Sequence, residues 1–441
     1  MLVSDADREK SYQSIILGLS HFSVDKKQVL NSFVFALIYG AAFYLLQLFL
    51  FQRGMVALMP DSNNLINGDA GWYKFVVDEG YVYKGGWGNA GFFPLFPLVW
   101  KLSGLSALGV SFLNIVFLAG GLAILSAVYK MADADRLLLL STPSLYFCFA
   151  PYAEPLFILL GAALIYGIGR KKTAIVWVSL LLLALVRPTT IVLLPALLIM
   201  ELLGAERSAW VKALLRWVML YVLPVIISLG AFLCYQYYKT GVWFAYFKHQ
   251  ADLWGRKFSL PELPFNSSLG PKFLWLNALA LFVGIVCVGM VLRTAYQWLA
   301  KNIVYADKGL ILSILYIAGV AMVNIFFNPH WEGQTNVFGS HRYIFVSPFF
   351  FVFLYHFTRE VSYRPAQFLW VFLLTNVFWL LFASYVHIMY LVYFNFCSAL
   401  VLMYMLCANR KFQWVALILV AINIIVQVRS FQMFIDKIYT D

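Results

Sequence analysis

Charge is scarce in this chain. Only 12% of its 441 residues are Asp, Glu, Lys or Arg, where a soluble globular domain carries about 25%. That scarcity excludes an ordinary soluble fold. Cysteine is scarce as well. The five residues Cys148, Cys234, Cys287, Cys397 and Cys407 lie in or beside apolar runs, and none forms a CxxC pair. This excludes a disulfide framework and a thiolate metal site, and leaves small buried hydrophobes as the expectation. No strip of Arg, Lys and aromatics of the kind that reads nucleic acid is present. No internal repeat, Gly/Ser linker or low-complexity tract interrupts the chain, so one domain over 1–441 is expected. The opening MLVSDADREKSYQSI lacks the basic-then-apolar layout of a signal peptide, which makes the first apolar run a retained anchor.

What the chain has is apolar sequence. Hydrophobic residues make up 63% of it, and apolar runs of roughly 20 residues recur from end to end. An all-α polytopic membrane protein follows. The formal charge of +12 points to cytoplasmic anchoring and an anionic substrate. Lys26 and Lys27 precede the first run, so the N-terminus is expected inside, with residues 53–105 outside. Spans are expected near 29–52, 106–129, 136–150, 155–169, 173–186, 188–203, 215–238, 271–293, 309–328, 342–357, 366–383, 387–408 and 412–430, about 13 in all. Arg187-Pro188 splits the run 173–203 because a charge in mid-membrane is expensive and proline disfavours helix at the residue before it. APYAEP is expected to hinge two short spans in the same way.

On this topology five polar segments reach one face: NGDAGWYKFVVDEGY with GFFPLFP, PYAEPLF, VRPTTIVLLP, TGVWFAYFKHQADLWGRKFSLP and SHRYIFVSPFF. Several of their residues carry two readings. Asp69 can cap the helix AGWYKFVVDE, with Gly80 as its stop, or it can serve as a base. Trp72, Tyr73 and Val76 share its helix face, while Asp78 and Glu79 read as a solvated helix end. Glu154 ties a hinge or contacts substrate. Arg187 can pair with Glu154. Arg342, next to His341, flanks a span start. Gln250, Trp254 and Arg256 lie on an amphipathic stretch whose simplest reading is an interfacial helix. His249 and His330 lack ligand spacing, and His356 and His387 read as structural. Asp133-x-Asp135 in MADAD reads as a solvated inner loop, so no metal site is expected.

In order and spacing the five segments resemble the PIG-V family of mannosyltransferases, of the GT-C class of membrane glycosyltransferases, with a bacterial-type loop at 239–262. They run from about residue 67 to 350, most of the chain. The match departs at Gly68, where the family pattern has Trp. The resemblance implies a GT-C-like bundle with an amphipathic first outer loop. It implies inverting transfer of a sugar, mannose in the family, from a polyprenyl-phosphate carrier to an acceptor hydroxyl on the outer or lumenal face. Asp69 would be the base. Arg342, His341, Arg187 and Arg256 would meet the donor phosphate, and Glu154, Trp72, Tyr73, Gln250 and Trp254 the substrates. No cofactor is implied. The acceptor would be a lipid-linked glycan, a glycolipid or a protein. The membrane would be a bacterial plasma membrane with the site facing outward, or the endoplasmic reticulum. Two alternatives stand beside this reading: another polyprenyl-phosphate sugar, glucose or arabinose, and a transporter of lipid-linked sugar that does no chemistry. Transporters commonly show duplicated halves, and none is visible here.

Overall fold

The computed structural model describes residues 25–267, 271–301, 307–327, 329–331, 333–359, 363–382, 388–408 and 413–437. The protein is an all-α, multi-pass membrane protein. Among the described residues seven helices are long and apolar enough to cross a bilayer: Lys26–Gln52, Ala107–Tyr129, Arg207–Thr240, Phe273–Ala300, Lys308–Phe326, Ile388–Cys407 and Trp414–Ile435. An eighth is counted if the bent pair Pro143–Phe149 and Glu154–Gly169 is one span. Thr173–Leu183, Pro188–Leu203 and Pro365–Trp379 are apolar but shorter. Two expected spans are broken. The stretch 136–150 divides into an α-helix, Asp133–Leu140, and a 3₁₀ helix, Pro143–Phe149. The stretch 342–357 divides into Ser340–Phe345 and Pro348–Arg359, with a proline opening the second piece. His387 lies outside the described residues.

The helices begin where the sequence supplies a cap. The side chains of Asp25, Ser106 and Asp307 accept bonds from the backbone N–H of Lys27, Gly109 and Leu310, at 2.9, 3.2 and 3.0 Å. Each satisfies an N–H that the first helical turn leaves without a partner. Small residues bring neighbouring helices close. A Cβ on Gly40 would meet Ile115 at 2.5 Å, and one on Gly121 would meet Ile158 at 2.7 Å. This is how membrane helices gain packing where burial from water contributes little between them.

The breaks are supported from neighbouring helices, as they must be where no water reaches the backbone. The Pro143–Phe149 and Glu154–Gly169 helices bend by 104°. At that bend Asn114 Nδ2 donates to the carbonyls of Ala150 and Tyr152, at 2.7 and 2.9 Å. Gln427 Nε2 does the same for Leu140 and Thr142, at 3.0 and 3.1 Å. Thr190 Oγ1 donates to the Leu183 carbonyl across the Arg187-Pro188 break. These breaks bring polar side chains to one end of the bundle.

The MADAD segment lies elsewhere, and it opens the Asp133–Leu140 helix instead of forming a solvated loop. Asp135 is buried, accepts from the backbone N–H of Ala132 and pairs with Arg359, while the buried Arg136 pairs with Asp133 at 2.5 Å. The Pro348–Arg359 helix therefore runs away from the Arg342 end and is tied down at its far terminus. Of the five cysteines, Cys148, Cys287 and Cys397 are buried as expected, Cys407 is half-buried, and Cys234 is exposed.

Candidate functional site

The chain places Asp69 at the first position of the Asp69–Glu79 helix, one residue inside the cap. The cap is Gly68, at φ 53 and ψ −131, a region open in practice only to glycine. That accounts for a glycine where the resemblance leads one to expect Trp. It also corrects the reading of Asp69 as a cap, because no side chain caps this helix and the Asp69 carboxylate is used elsewhere. Gly80 ends the helix at φ 74, and Lys74 pairs with Asp78 on the exposed side, both as expected. Tyr152, at the 104° bend, fixes the helix start. Its hydroxyl accepts from the Asp69 backbone N–H at 3.1 Å and donates to the Asn67 carbonyl at 3.2 Å.

Asp69 Oδ2 pairs with Nη2 of Arg342 at 2.6 Å. Nε of Arg342 lies 3.0 Å from Oε1 of Glu154, and the same oxygen lies 3.1 Å from Nη2 of Arg187. Four residues far apart in sequence thus form one chain of alternating charge. The Arg342, Glu154 and Arg187 side chains are 5%, 2% and 4% exposed, whereas Asp69 is 18% exposed, so Asp69 is the open end. Aromatic faces surround the two guanidinium groups. Tyr343 lies 5.1 Å from that of Arg342 and 4.8 Å from that of Arg187, and Tyr152, Phe147 and Phe157 complete the setting. Such faces offset part of the cost of taking charge out of water.

Beside this chain is a cavity of about 350 Å³, the size of a site for a small ligand. Asp69, Arg187, Arg256 and Arg342 reach its wall, together with Trp72, Tyr73, Phe92, Phe93, Trp254, Phe338 and Tyr343. Arg256 lies over Trp254 at 5.7 Å. Its backbone N–H donates to the Gln250 carbonyl at 3.0 Å, and Gln250 donates to the Gly91 carbonyl at 3.4 Å. Trp72 stacks on Phe92, and Trp254 meets Phe92 edge-on. Three arginines face two carboxylates, so the described groups carry one net positive charge. Nη1 of Arg187 is buried and has no hydrogen-bond acceptor among the described residues. The cavity thus sets three arginines beside one partly exposed carboxylate and an aromatic wall.

Eight of the expected site residues meet at this cavity: Asp69, Trp72, Tyr73, Arg187, Gln250, Trp254, Arg256 and Arg342. Two are corrected in placement. His341 is buried behind the wall, where Nδ1 faces the Ser144 hydroxyl at 2.9 Å and its backbone N–H donates to Asn277. Glu154 is likewise off the wall and bridges two arginines. The bend that makes Glu154 a helix-start residue also turns it inward. Tyr343, Phe338 and Gly339 were missed as wall residues. Tyr343 follows Arg342 directly, and an aromatic beside the candidate arginine was the available signal. No group of three or more His, Cys, Asp or Glu able to hold a metal occurs among the described residues.

Gly91 sets the distance between the Trp254 wall and the loop that carries Phe92. A Cβ there would lie 2.5 Å from His249 Nδ1 and 2.8 Å from the Trp254 ring. Gly91→Ala is therefore expected to displace Trp254 and to lower stability by about 1–3 kcal/mol, the usual cost of overpacking. Thermal unfolding of the purified variant in detergent checks this, and an unchanged midpoint would contradict it.

No family model, curated protein or solved structure matches the chain.

Proposed function

We propose that this protein is an inverting membrane glycosyltransferase with a GT-C-like bundle, and that it moves a sugar, mannose, from a polyprenyl phosphate to an acceptor hydroxyl at the outer face of its membrane. The observation that carries the reading is one cavity, at one end of the bundle, that joins Asp69 to three arginines and an aromatic wall. The five sequence segments that resemble the mannosyltransferases supply most of the wall of that cavity, and Glu154 and His341 directly behind it.

The chemistry assigns each group a task. The acceptor oxygen attacks C1 of the sugar on the face opposite the lipid phosphate. The new C1–O bond forms as the bond from C1 to the phosphate oxygen breaks, and the configuration at C1 inverts. Asp69 takes the acceptor proton, for which a carboxylate must come within hydrogen-bond reach of the hydroxyl. The electron pair of the broken bond goes to the phosphate oxygens, where Arg256 and Arg187 meet it. Trp72, Phe92 and Trp254 offer faces for the sugar ring. Glu154 and His341 act from behind the wall by holding Arg342 and its helix in place.

Because fixed arginines neutralise the leaving phosphate in this scheme, transfer is expected to persist in EDTA. Activity of the purified protein before and after chelation checks this. Complete loss that is reversed by Mg²⁺ or Mn²⁺ would overturn the assignment of that task to the arginines.

A further inference from the structure

The apolar Arg207–Thr240 segment ends at Gly241, which has φ 68. Four residues later the Ala245–Asp252 helix begins, and its two faces differ. Ala245, His249 and Gln250 are buried against the cavity rim, where His249 Nε2 donates to the Gly88 carbonyl at 2.8 Å. The backbone N–H of Tyr246 donates to Gln236 Oε1 at 3.1 Å. On the other side Phe244, Phe247 and Lys248 stand exposed. Trp243, just before the helix, is 49% exposed and stacks on Tyr237 with ring centroids 4.2 Å apart.

Phe244 holds φ 59, a left-handed conformation that a bulky side chain rarely adopts. The strain is not offset by burial within the protein, because the ring is 53% exposed. Basic residues border the same surface. Lys239, Lys248 and Lys257 are exposed, and Asp252, which lies among them in sequence, accepts a bond from the Tyr83 hydroxyl at 2.7 Å. Two arguments identify what covers these rings. Their helix follows directly on an apolar membrane span, which places it at the bilayer boundary. Aromatics flanked by lysines also match that boundary, where rings sit among headgroups and cations meet anionic lipids.

We infer that residues 237–248 form an aromatic and basic anchor seated in the headgroup layer of an anionic bilayer, and that this docking presses the Ala245–Asp252 helix onto the cavity rim. The rim residues Gln250, Trp254 and Arg256 then take their positions from the lipid surface as well as from the protein. The inference needs the membrane span alone and is independent of any transfer chemistry.

Amide hydrogen exchange tests it, in nanodiscs that hold a single copy and contain phosphatidylglycerol, in neutral phosphatidylcholine discs, and in short-chain detergent. Amides of 243–252 are expected to exchange about tenfold more slowly in the anionic discs than in detergent, with local opening as the governing event. Phe244→Ser/Phe247→Ser should abolish that difference while the Lys308–Phe326 helix exchanges as before. Lys239→Gln/Lys248→Gln should remove only the excess of anionic over neutral discs. Equal exchange of wild type and the Phe variant in discs would overturn the inference. So would protection that appears only with two copies per disc, which would assign the surface to a second chain. If the Phe variant fails to fold, a spin label at Phe247→Cys, in a background with Cys234→Ser, decides instead. Oxygen accessibility typical of headgroup depth supports the anchor, and water-like accessibility overturns it.

Discussion

Replacing Asp69 by Asn is expected to lower kcat for sugar transfer by about 100- to 10,000-fold, the usual effect of removing a general base. The exchange keeps the shape of the side chain and removes its charge. Asp69 does not cap its helix; Gly68 holds that position. The helix start should therefore survive, supported as before by the Tyr152 hydroxyl. Of the four ion-paired residues Asp69 is the most open, so the loss falls where substrate can reach. Steady-state kinetics on purified protein checks this, with circular dichroism to confirm the fold. A variant that keeps more than about a tenth of wild-type kcat would remove Asp69 from the role of base.

Arg342→Ala is expected to be the most damaging single change to the fold. Arg342 bridges Asp69 and Glu154, and Glu154 is 1% exposed. Removing the guanidinium leaves two carboxylates near one another with Arg187 as the only arginine still paired to Glu154. Breaking a buried pair from one side typically costs about 3–5 kcal/mol. The thermal midpoint should fall sharply, and yield with it. Arg342→Lys separates position from charge. An ammonium restores charge but cannot place two donors on two carboxylates at once, so it should recover most of the stability and little of the activity. If Arg342→Lys recovers full kcat, the two-carboxylate bridge has no part in the reaction. If Arg342→Ala leaves the midpoint unchanged, the bridge has no part in the fold.

The all-α, multi-pass character was legible in the sequence because bilayer thickness fixes the length of an apolar run, but seven or eight helices of spanning length, against the 13 expected, occur among the described residues. The runs over Ala107–Tyr129, Lys308–Phe326 and Ile388–Cys407 appear close to their expected limits. Hinges at APYAEP and Arg187-Pro188 were legible because proline and a lone arginine cannot continue a span. What the pattern of apolar residues could not convey is how a hinge is closed. Asn114 and Gln427 hold the carbonyls that the breaks expose, and nothing in their apolar surroundings marks them for that task. The pairing of Asp69 with Arg342 joins positions 273 residues apart, and no local pattern encodes such a distance. Glu154 was read either as tying its hinge, paired with Arg187, or as contacting substrate; it pairs with Arg187 and Arg342 off the cavity wall, since the direction a hinge residue faces is set by tertiary packing. Asp133 and Asp135 were read as solvated because two neighbouring acids commonly are, but Arg359 turned Asp135 inward.

Transfer of sugar from a lipid phosphate is measured with purified protein in liposomes, polyprenyl-phosphate mannose labelled in the sugar, and total membrane lipid extract as acceptor. With wild-type protein, label is expected to leave the polyprenyl phosphate and appear in a new glycoside of inverted anomeric configuration, and with Asp69→Asn to stay on the carrier. Label that remains on polyprenyl phosphate with both proteins, or that crosses the bilayer still attached to it, would rule out transfer by this cavity.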